Sequence, residues 1–77
     1  MKLTTIQRIS QEVDSARQKY PPGDHGMRVS GLIQEFGEAM DALGCWLQNP
    51  SDRNRQHLEL ELTQAAGQAV RFLEEHP

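Results

Sequence analysis

Apolar residues recur along this chain at steps of three and four, the spacing that lays one stripe along an amphipathic helix. Ile6, Ile9, Val13, Ala16 and Tyr20 predict a first helix over residues Leu3 to Tyr20. Thr4 with Gln7 three residues on has the form of a capping box. Pro21-Pro22-Gly23 then ends the helix, because proline cannot donate the next hydrogen bond and restricts the residue before it. Val29, Leu32, Ile33, Phe36, Met40, Leu43 and Leu47 predict a second helix from about Gly26 to Leu47. Asn49-Pro50 breaks it, and Ser51 or Asp52 is placed to cap a third helix that runs to about Glu75 with Leu58, Leu62, Ala65, Ala69 and Phe72 on one side. No segment alternates with period two and no repeat is present, so the fold class is all-α, a single domain over residues 1–77 of about three helices. Both joints are short, which predicts neighbouring helices packed roughly antiparallel.

Length changes that picture by limiting the core. A chain of 77 residues buries a smaller fraction of its surface than a larger one would, and the lone Cys45 cannot form an intrachain disulfide. The short bundle is therefore expected to complete its core by dimerisation or tetramerisation. One cysteine, no charged and apolar leader and no apolar run near 18 residues point to the cytoplasm and away from a membrane. Lys and Arg total 8 against 11 Asp and Glu, with no basic cluster, so duplex nucleic acid is not an expected partner.

At about 100° per residue, the second helix places Ser30, Gln34, Gly37, Asp41, Gly44 and Gln48 on a solvated flank. Glu35 and Glu38 fall on the other flank, among Met27, Gly31, Ala39, Ala42, Cys45 and Trp46, a small or apolar set suited to contact with another helix. Two carboxylates one turn apart among such residues repel unless a cation or proton joins them. On the third helix His57, Glu61, Gln64, Gln68 and Arg71 form a polar track beside the apolar face. If the second and third helices pack antiparallel on their apolar stripes, Glu35 and Glu38 face Glu61. Oxygen ligands of this kind suit a hard cation such as Mg²⁺ or Mn²⁺ and not zinc. Trp46 beside Ala42 and Cys45 reads as packing sooner than as a base-stacking platform, and His57 at a helix start as a surface residue.

Leu32-Ile33-Gln34-Glu35-Phe36-Gly37-Glu38, followed after 22 residues by Glu61-Leu62-Thr63-Gln64-Ala65-Ala66, resembles the E-E-x-x-E and E-x-x-D helices of MazG-like nucleotide pyrophosphohydrolases. Short phage and prophage members look closest, and Ala16-Arg17-Gln18-Lys19-Tyr20 with Asp24-His25 is similar to their lead segment. The resemblance implies a helical domain that forms dimers or tetramers and cleaves a nucleoside triphosphate to monophosphate and pyrophosphate. It implies Glu35, Glu38 and Glu61, with Gln64, around Mg²⁺ or Mn²⁺, and His25 with Gln64 toward the substrate, while Lys19 and Arg71 are by their charge the candidates to hold its phosphates. Gln34 stands where the first Glu of the pair is usual and Gln64 where the wider family has Asp, and each removes a negative charge from the metal site. Gln34, with a chain shorter than most members, motivates the alternative of a non-catalytic helical interaction protein that kept the fold.

Overall fold

In the computed structural model, which describes residues 1–20 and 25–75, the chain forms α1 (Leu3–Lys19), α2 (His25–Gln48) and α3 (Asp52–Glu75). The Pro21-Pro22-Gly23 joint, Asp24 and the side chain of His25 lie outside the described residues. α1 starts two residues ahead of the expected cap. Lys2 holds the N-cap position with no side-chain hydrogen bond, and Thr4 lies inside the first turn, so the Thr4 and Gln7 capping box does not form. The α2–α3 joint is capped as expected. The Asn54 backbone N–H donates to Ser51 Oγ at 3.1 Å, and Asn54 Nδ2 donates to the Asn49 carbonyl at 2.9 Å. One backbone N–H at the start of α3 and one carbonyl just past the end of α2 thus find partners within this turn.

The helices run up, down, up, yet α1 and α2 do not pack on each other among the described residues. Each packs on α3. α2 lies antiparallel to α3 as expected, whereas α1 lies alongside α3 in the same direction. Arg8 pairs with Glu59 at 3.7 Å and Arg17 with Glu74 at 2.6 Å, near the two ends of that contact. Gly67 is the reason α1 comes close: a Cβ there would meet Glu12 Cγ at 3.0 Å and Val13 Cγ2 at 3.7 Å. Arg71 ties the end of α1 to α3. Its Nη2 donates to the Tyr20 carbonyl at 2.7 Å, while Nε and Nη2 grip the Glu75 carboxylate.

The core is thin, comprising Val13, Ala39, Ala42, Leu58 and Ala65. α2 turns its small flank to α3 and leaves the bulky stripe outward, with Phe36, Met40 and Leu43 all exposed. The expectation that α2 packs on that stripe is thus corrected. Alanines on both helices allow a closer approach than Phe36 and Met40 would, and large side chains on the stripe remain in solvent. No helix among the described residues is long and apolar enough to cross a membrane.

Candidate functional site

Because α2 faces α3 through its small flank, the two acidic residues on that flank are carried inward. One carboxylate oxygen from each of Glu35, Glu38 and Glu61 lies within 4.8 Å of the others. Helical spacing accounts for the arrangement: Glu35 and Glu38 are one turn apart on α2, and the antiparallel α3 brings Glu61 opposite them. Glu35 Oε2 and Glu61 Oε2 are buried without a hydrogen-bond partner. Gln34 Nε2 donates to Glu38 Oε1 at 3.2 Å. His57 Nδ1 stands 4.0 Å from Glu61 Oε1 at the exposed edge.

Burial pushes the Glu35 carboxyl above its usual value, and the charges of Glu38, Glu61 and Glu12 push it further in the same direction. All the causes share one sign. The cluster holds concentrated negative charge, which is the condition a bound cation or proton relieves.

Beside the cluster, α1 and α2 stand as two walls over a floor of α3. Glu12, Ser15, Ala16, Lys19 and Tyr20 from α1, Glu35 from α2, and Gln64 and Gln68 from α3 line a hollow of about 210 Å³. An adjoining hollow of about 270 Å³ shares Tyr20, Glu35 and Gln68 and extends to Arg28 and Gln34. The structure therefore brings Glu35, Glu38 and Glu61 together and places Lys19 and Gln64 in the hollow that Glu35 lines. Arg71 is not among the residues lining either hollow. It is fully buried and committed to Glu75 and the Tyr20 carbonyl. The side chain of His25 is outside the described residues. Trp46 is half-buried at the α2–α3 joint with the Arg55 guanidinium 5.4 Å from its ring centroid, so it packs away from the carboxylates.

Glu12 escaped the reading of the sequence. The signal was present on α1, where Glu12, Ser15, Ala16 and Lys19 fall at helical steps of three, four and seven on one face. No protein-family model, no curated protein and no solved structure matches the chain.

Proposed function

We propose that this chain is a Mg²⁺-dependent nucleoside triphosphate pyrophosphohydrolase of MazG-like type. The observation that carries the reading is the convergence of Glu35, Glu38 and Glu61 from two antiparallel helices beside a hollow lined by Lys19. The donor set fits a hard divalent cation: all its ligand atoms are carboxylate oxygens, and Glu35 and Glu61 each have one carboxylate oxygen buried without a hydrogen-bond partner. Gln64, in the adjacent hollow, would offer an amide oxygen in the same role.

A bound Mg²⁺ or Mn²⁺ would supply positive charge to a phosphate oxygen and orient the attacking water. Lys19 would hold a non-bridging phosphate oxygen as a point charge. Glu12, on the wall opposite Glu35, would accept the proton that water gives up. The water oxygen then bonds to the α-phosphorus, the bond from that phosphorus to the bridging oxygen breaks, and pyrophosphate leaves. The two adjoining hollows together fall within the range of about 300–1,000 Å³ common to small-molecule sites. In the same reading copies of the chain associate as a dimer or tetramer, in the cytoplasm.

Mn²⁺ binding followed by electron paramagnetic resonance, native chain against Glu38→Ala, tests the site without a choice of substrate. Native protein is expected to quench the free-ion signal and the variant to leave it, after which pyrophosphate release from nucleoside triphosphates follows. Equal, negligible binding in both overturns the metal site. A second reading, a non-catalytic interaction protein on the same fold, is favoured by the Gln34 amide, which occupies a Glu38 oxygen where a second acid would stand. Hydrolysis that appears only in Gln34→Glu would decide for it.

A further inference from the structure

We propose that a second copy of this chain covers the outer face of α2, helix against helix along Val29, Ile33, Phe36, Met40, Leu43 and Leu47. This rests on the association named above and not on the nucleotide chemistry. The steps between those residues are four, three, four, three and four, which is the alternation of the two apolar positions in a heptad. Most of this seam is unused within the chain: Ile33 and Leu47 are each 67% exposed and Met40 is 73% exposed. It continues across the chain as an apolar groove of about 500 Å³ that Leu62 and Ala66 of α3 extend.

Charge selects the occupant. The positions flanking the seam are Ser30, Gly37 and Gly44 on one side and Leu32, Ala39 and Trp46 on the other, and none is charged. Flanking charges are what direct one helix to a different partner helix, and this face has none. Two identical copies with a net charge of -3 each can therefore meet here with no like charges opposed. Space favours close approach as well, since a Cβ at Gly37 or Gly44 would have nothing within 4 Å in its own chain.

The area agrees. The chain exposes 5621 Å², whereas a folded monomer of its 8.7 kDa mass is expected to expose about 4,700 Å². The surplus of about 900 Å² is close to the ~800 Å² that each partner gives up in a stable interface. Glu38 and the middle of the seam lie on opposite sides of α2, about 180° apart at 100° per residue. The acidic hollow therefore faces away from the second copy.

Sedimentation equilibrium at micromolar concentration tests this on the native chain, Met40→Glu and Gly37→Arg, with helicity checked by circular dichroism. Met40→Glu puts a charge on an exposed seam position. Gly37→Arg fills space that is empty in the single chain and raises helix propensity, so its own fold has no reason to fail. The native mass is expected to be a multiple of 8.7 kDa that both variants reduce by half or more. A native oligomer that neither variant weakens overturns the seam while leaving association standing. A native chain of one mass throughout overturns both.

Discussion

Glu35 concentrates the electrostatic stress of the molecule, because burial and three neighbouring carboxylates all raise its pKa above 4.5. A carboxyl with a folded pKa above its unfolded value binds more protons in the folded state between the two values. Its contribution to stability therefore grows as pH falls through the raised value toward 4.5. Without divalent cation, the Tm difference between Glu35→Gln and the native chain is expected to favour the variant at neutral pH and to shrink on acidification through that window. Saturating Mn²⁺ should reverse the order, since only the native chain keeps the ligand. Each 1 kcal/mol corresponds to about 4–8 °C in a domain of this size, so calorimetry resolves the crossing. Equal Tm values across the window would mean that the carboxylates do not face one another. Glu75 works in the opposite sense. The hydrogen bond from Arg71 lowers its pKa below 4.5, and the stability this provides is present above 4.5 and lost as pH falls through the lowered value. Arg71 is fully buried, so Arg71→Ala strands the Glu75 carboxylate and the Tyr20 carbonyl together. A loss of about 3 kcal/mol in urea unfolding is expected, and Arg71→Lys recovers only part because an ammonium cannot form the fork.

The helices differ in how firmly their ends are set, and this separates two substitutions that look alike in sequence. Ser51→Ala removes the oxygen that accepts from the Asn54 N–H and should cost about 1 kcal/mol. Thr4→Ala removes nothing comparable from the start of α1, where the cap has no side-chain hydrogen bond, and should stay within about 0.5 kcal/mol. Equal losses in urea unfolding would show that α1 begins at Thr4 after all. Element positions were legible because proline joints and apolar steps of three and four are local signals. The Ser51 cap is local too. What the periodicity of α2 did not reveal is which part of a wide apolar arc meets its own chain. Ala39, Ala42 and Ala65 decide that by allowing close approach, a property of pairs of helices and not of one. The same limit hid Glu12. Its role comes from α1 lying beside α3 across Gly67, with α2 on the far side, and no spacing within one helix specifies that order. Glu35 and Glu38 were legible as a pair on the small flank and Glu61 as their counterpart on an antiparallel α3, although the packing on apolar stripes that was expected to join them is not the one α2 adopts.

Set side by side in the order α1, α3, α2, the helices make a layer of 38 × 27 × 21 Å with two unlike faces. One holds the acidic hollow and the other the apolar seam of α2. All three helices of one chain line the hollow, from Glu12 and Lys19 on α1 through Gln64 and Gln68 on α3 to Glu35 on α2. If a second copy sits on the opposite face, its side chains cannot reach the carboxylates. The ion site and the association are then separable, although a metal site at a subunit boundary would tie them together. Met40→Glu is thus expected to bind Mn²⁺ with the native stoichiometry per chain and with a Kd within about threefold, a difference below 1 kcal/mol. Titration by electron paramagnetic resonance at matched chain concentration measures both quantities. Loss of Mn²⁺ binding together with association, in a variant that keeps its helicity, would mean that a neighbouring copy completes the site and that the two faces are not independent.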